Sequence, residues 1–150
     1  MWVWMKWKVW VKILLTIFLV GFVAVPLAIT LIAINPQKQF ATANDTKRLS
    51  DANELVNAIN QYYAVNHTFP PSITTEDKPI SSAGADICKD LVPKVLPLLP
   101  ADPKVSDSAG ITNCQSYDTG YIIKLDGDQV MVSAPHAESG KPISIEHKPY

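Results

Sequence analysis

Residues Ile13 to Ile34 read ILLTIFLVGFVAVPLAITLIAI, twenty-two in a row without a charge. At about 1.5 Å of rise per residue, a helix of that length spans the ~30 Å hydrocarbon layer of a bilayer. Lipid offers no partner to a backbone amide, so the segment should be helical, and Pro26 within it produces at most a kink that Thr30 or a neighbouring helix relieves. The competing reading is a cleaved secretory signal. Such a signal has an apolar core of about 7–15 residues ending at small side chains, whereas this run is longer and offers only Leu31-Ile32-Ala33 as a passable cut. A buried helix of a soluble domain fits worse, because a chain of 150 residues could hardly enclose so long an apolar stretch.

On the amino-terminal side lies MWVWMKWKVWVK, residues 1–12, where Trp2, Trp4, Trp7 and Trp10 alternate with Lys6, Lys8 and Lys12. Indole rings and long lysine stems both favour the headgroup layer, so this stretch reads as an interfacial collar next to a lipid partner. All fourteen acids follow the apolar run, leaving ten bases against fourteen acids in the remainder, a net of −4. A nucleic-acid partner recognised by a basic patch is therefore not expected. The charge rule for orientation is nearly a tie, with Lys6, Lys8 and Lys12 facing Lys38, Lys47 and Arg48 across the run. Cys88 and Cys114 decide it: an even pair in the long polar part suggests an exported domain with a disulfide, two buried free thiols being the rival. A single-pass membrane protein follows, with its carboxyl-terminal part outside.

Beyond Asn35-Pro36 the pattern turns one-sided. Phe40, Ala43, Leu49, Ala52, Leu55, Val56, Ile59, Tyr62 and Tyr63 recur mostly at spacings of three and four, the mark of an amphipathic helix over 35–66. The opposite face is assigned Asp45, Lys47, Arg48, Asp51, Glu54, Asn57 and Asn60, with Asp45–Arg48 and Lys47–Asp51 as exposed pairs. Asn66 is the expected left-handed cap ahead of Pro70-Pro71. Pro36 suits either the first turn of a new helix or a bend in one rod running from Ile13 to Val65.

Residues 67–150 form the expected head. Prolines at 70, 71, 79, 93, 97, 100 and 103 predict loops around one short helix near Asp86 to Val92. Gly120 to Leu125 and Gln129 to Ser133 are rich in β-formers around Asp126-Gly127-Asp128 and predict a hairpin, with Ile143 to His147 as a third, edge strand. The fold class is α+β: a small antiparallel sheet packed on a long helix and helped by one disulfide.

Catalytic signatures are missing. The chain contains no G-x-S-x-G, H-E-x-x-H, C-x-x-C or phosphate-cradling glycine loop, and His67, His136 and His147 are scattered. His136 with Glu138 lacks the further clustered ligands a metal needs, Asp126 and Asp128 read as a turn, and Asn66-His67-Thr68 fits a glycosylation acceptor. No catalytic residue, cofactor or metal site is assigned, and assembly or binding is favoured over catalysis.

Several segments together resemble type IV pilin-like and type II secretion pseudopilin-like proteins: Asn35-Pro36-Gln37-Lys38-Gln39-Phe40-Ala41 to Asp45, Lys47-Arg48-Leu49-Ser50-Asp51, and Tyr62-Tyr63-Ala64-Val65-Asn66-His67-Thr68-Phe69-Pro70. Leu96 to Pro103 and Tyr117 to Tyr121 look like parts of that family's head, so the likeness spans about residues 13–134. It implies a long curved helix, an antiparallel sheet on its outer half and a loop closed by Cys88 and Cys114. It also implies protomers that wait in a bacterial cytoplasmic membrane with the carboxyl-terminal domain extracytoplasmic, and that are drawn by assembly machinery into a filament cored by apolar half-helices. Phe40, Leu49, Ala52, Leu55, Val56, Ile59, Tyr62 and Tyr63 are the residues expected to carry helix packing and assembly. Aligned on Asn35, the family's leader cut falls between Trp10 and Val11, with Leu15 where the family has Glu, so the chain reads as uncleaved. The alternative function is a permanently anchored binding module on the same fold, with Tyr117 and Tyr121 as candidate aromatic contacts.

Overall fold

The computed structural model describes residues 2–33, 35–105 and 108–148; within the first helix it describes the side chains of 7 and 10–24. That helix, α1 (Trp2–Ala33), carries the uncharged run up to Ala33. Among its described side chains the large apolar ones are 42% to 74% exposed, from Val11 to Phe18. Thr16 returns its hydroxyl to the carbonyls of Lys12 (3.0 Å) and Ile13 (2.8 Å), so its polar group is satisfied within the helix. Among the described residues no helix is long and apolar enough to cross a membrane. The described side chains of the run end at Ala24, and 10–24 spans only about 22 Å. The side chains of Pro26 and Thr30, and Ile34 altogether, lie outside the described residues.

Of the two readings of Pro36, the structure takes the first turn of a new helix and not a bend in a continuous one. A second helix, α2 (Pro36–Asn66), starts afresh. Asn35 caps it: its Oδ1 accepts from the Lys38 amide at 3.2 Å and its carbonyl from the Gln39 amide at 3.2 Å. Pro36 takes the first helical position, where its missing N–H costs nothing. The chain divides into two units about one turn into α2, Met1–Gln39 and Phe40–Tyr150. At its far end α2 closes on His67 rather than Asn66. His67 has a φ of 55° and donates its amide to Tyr63 O at 2.7 Å, and Asn66 remains helical with its side chain bonded to Tyr62 O. A β-carbon at a left-handed position is strained. His67→Gly should therefore raise the stability of the second unit by about 1 kcal/mol, read as a rise of a few degrees in the melting temperature.

The second unit contains β1 (Lys78–Ser81), the four-residue helix α3 (Cys88–Leu91), β2 (Asp118–Asp126), β3 (Gln129–Ala134) and β4 (Ile143–His147). The strands form one antiparallel meander in the order β1-β2-β3-β4. The β2–β3 hairpin and the β4 edge strand match the sequence pattern. Asp126 pairs with Gln129 around a two-residue turn, with Gly127 at φ 60° in the first central place, as a tight hairpin requires.

Strand β1 corrects the expectation that residues 70–103 hold only loops and a short helix. It includes Pro79 because it is an edge strand with a register shift between Pro79 and Ser81. The Pro79 carbonyl faces away from β2 and accepts the Ala85 amide at 2.8 Å. Gly84 allows this return: a β-carbon there would lie 2.2 Å from Pro79 O. Tyr121, Ile123, Val130, Val132 and Ala134 alternate onto the inner face and pack with Leu55, Val56 and Ile59 of α2, and with Ile80, Ile87 and Leu91.

Candidate functional site

Arg48, expected by sequence to lie on the solvent face, is fully buried on α2 and bonds three carboxylates. Asp45, Arg48 and Asp51 sit in phase with Ala52, Leu55 and Ile59 at steps of three and four, so one helix face changes from charged to apolar as it enters the core. Arg48 Nε and Nη2 donate to the two oxygens of Asp102 at 2.7 and 3.1 Å, a bidentate pair with both side chains fully buried. Its Nη1 donates to Asp45 Oδ1 at 2.8 Å and Glu138 Oε1 at 3.0 Å. One guanidinium thus joins α2, the loop after Ala101 and the β3–β4 loop, a task suited to its planar set of donors.

Each carboxylate has further partners. Asp45 accepts the Glu138 amide at 2.9 Å and the Ser139 amide at 2.7 Å, which fixes the β3–β4 loop to α2. Asp102 accepts the Lys104 amide at 2.8 Å, and its own amide donates to Thr119 O of β2 at 2.8 Å. Glu138 is bonded by Asn44 at 2.9 Å and pairs with Lys104 at 3.2 Å. Alongside, Lys47 pairs with Asp51 and reaches Ala101 O at 2.9 Å, while buried Tyr121 donates its hydroxyl to Asp51 at 2.7 Å. Gly120 (φ 76°) makes room for this packing, since a β-carbon there would lie 2.9 Å from Asp102 Cβ.

Burial works against the charged forms of Asp45 and Asp102. At Asp45 the bonds from Ser139, Glu138 and Arg48, and at Asp102 those from Arg48 and the Lys104 amide, outweigh it and hold both below the ordinary 3.8. Glu138 is lowered by Asn44, then Arg48 and Lys104. Burial, then the nearby carboxylate, pushes the hydroxyls of Tyr121 (beside Asp51) and Tyr117 (beside Asp86) above their ordinary 10.0.

A carboxylate with a lowered folded value stabilises above its ordinary value, and that contribution is lost as pH falls toward the folded value. A phenol with a raised folded value stabilises below its ordinary value, and loses the contribution as pH rises toward the folded one. Stability is therefore expected to be flat between roughly pH 5 and 9 and to fall on both sides. Denaturant midpoints across pH will check this: Asp45→Asn should flatten the acid limb and Tyr121→Phe the alkaline limb.

The other sequence-assigned residues separate. Ala52, Leu55, Val56 and Ile59 are buried, Tyr62 is half-buried against the core, and Tyr63 packs against Phe69 with the rings tilted by 37° and their centroids 4.7 Å apart. Phe40 (71% exposed) and Leu49 (45%) are corrections to the packed stripe. The head covers α2 only from about Asn44 onward, which leaves Phe40 outside, and Leu49 lies at the margin of the buried arc, where it lines a groove with Thr46 and Ile143. Cys88 and Cys114 form the disulfide, with a Cα–Cα distance of 5.5 Å. Glu138 is engaged by Arg48 and not by His136; among the described residues no His, Cys, Asp and Glu group could hold a metal ion. Tyr117 and Tyr121 are buried, so neither is presented to a ligand. The phase of Asp45, Arg48 and Asp51 is the sequence signal for the charged cluster. Asp102 and Glu138 carry none, because they arrive from loops.

Comparison with protein-family models, with characterised proteins and with solved structures finds no match to this chain.

Proposed function

We propose that this chain is a membrane-anchored structural subunit of the pilin or pseudopilin kind, with α1 in lipid or among like helices and the second unit as an extracytoplasmic head. The observation that carries the reading is α1 itself: an uncharged run on one helix, with its described apolar side chains exposed in the single chain. Water does not stabilise such a surface, and lipid or a bundle of equivalent helices does. Further support comes from the second unit, an α+β domain with its own core and one disulfide. Its inner cluster of Arg48, Asp45, Asp102 and Glu138 is saturated by its own partners, an arrangement suited to holding a shape rather than to turning over a substrate.

The test is fractionation of the full chain from its own host combined with cysteine cross-linking at Leu15 and Phe18. Retention in membranes after alkaline carbonate, together with a ladder of cross-linked multimers, is expected. Release into the soluble fraction overturns the anchor, and strictly monomeric protein in the membrane overturns the filament role. The latter outcome moves the reading to a permanently anchored binding module, favoured by the open groove between Thr46 and Leu49 of α2 and Lys141 to Ile143.

A further inference from the structure

Helix α1 begins at Trp2, well ahead of the uncharged run that starts at Ile13. Residues 2–12 therefore add about three helical turns, roughly 16 Å, to the same helix. If the run fills the hydrocarbon layer, those turns lie at headgroup depth and just beyond it. Their composition is one-sided: Lys6, Lys8 and Lys12 occur there, and the first acid of the whole chain is Asp45. On α1 these lysines have no acidic neighbour at helical spacing, so the complementary charge has to come from outside the helix. Trp7 and Trp10 are 72% and 66% exposed and Lys12 is exposed; the side chains of Trp2, Trp4, Lys6 and Lys8 lie outside the described residues. Indoles interleaved with lysines beside an apolar span match a phosphate layer bordering hydrocarbon, which a soluble polyanion lacks.

We propose that residues 2–12 are a docking face for anionic phospholipid headgroups, by which α1 gathers negatively charged lipid around itself. This deepens the membrane reading and rests on it. Each lysine near an anionic surface favours association about fivefold, so three give a preference on the order of 100-fold at low salt, which screening reduces.

The chain contains its own probe, since all four tryptophans lie within residues 2–10 and their fluorescence reports on this segment alone. The full chain is reconstituted in vesicles of phosphatidylcholine with a minor fraction of phosphatidylglycerol. The same mole fraction of lipid is brominated in either species. Quenching by brominated phosphatidylglycerol should exceed quenching by brominated phosphatidylcholine several-fold. High salt and the K6Q/K8Q/K12Q variant should both abolish the difference, while quenching by brominated phosphatidylcholine persists in that variant and shows it inserted. Equal quenching by both lipids, or a preference that survives the triple substitution, overturns the proposal and leaves the anchor standing. Tryptophans quenched by neither lipid overturn the anchor and the proposal together.

Discussion

Replacing Arg48 by methionine is expected to destabilise the second unit by about 3–5 kcal/mol. The loss is not that of one ion pair. Without the guanidinium, Asp102 remains fully buried beside Asp45, and three carboxylates from three segments face one another with their common cation gone. Arg48→Lys keeps the charge but not the fork that holds both Asp102 oxygens while reaching Asp45 and Glu138, so it should recover only part of the loss. Adding Asp102→Asn to Arg48→Met should also recover part, because the buried charge is then removed with its partner. Denaturant unfolding followed by tyrosine near-ultraviolet dichroism gives the readout, the tryptophans being silent about this unit. Equal stability of Arg48→Met and the parent chain would contradict the closed cluster.

Opening the Cys88–Cys114 bridge should cost about 3–4 kcal/mol, the chain-entropy value for a loop closed across 26 residues. That loop carries Leu91, Leu99, Ala101 and Asp102, all fully buried, so the bridge restrains the segment that delivers the partner of Arg48. One further tie lies next to it: the Tyr117 hydroxyl accepts the Cys88 amide at 3.2 Å and donates to Asp86 at 2.9 Å. Reduction and the double Cys→Ala variant should lower the denaturant midpoint by the same amount. No change on reduction would mean that the hydrophobic contacts of 91–101 suffice alone.

What could be read in advance follows from where each element keeps its information. The hairpin, the edge strand near the carboxyl terminus and the apolar part of the α2 stripe are local patterns of period two or about 3.6, and they were legible. Strand β1 was not, since Pro79 argues against a strand unless the edge and the register shift are known. The charged cluster was misplaced for a related reason. Polar side chains at helical spacing read as a solvated face, and only Asp102 and Glu138, respectively 54 and 90 positions from Arg48, make burial of Arg48 affordable. Phe40 and Leu49 show the reverse error, because apolar periodicity says which residues share a face and not how far along the helix the covering domain reaches.

Pro79 bears on how copies of this chain can meet. Along the outer rim of β1 it offers no amide hydrogen, and its carbonyl is already taken by Ala85. That rim cannot template another strand there, whatever the local crowding. Runaway cross-β stacking is thereby closed at one side of the meander, and at the other side only five-residue β4, with Glu146 exposed, is on offer. A meander with both rims blunted in this way is a poor seed for amyloid.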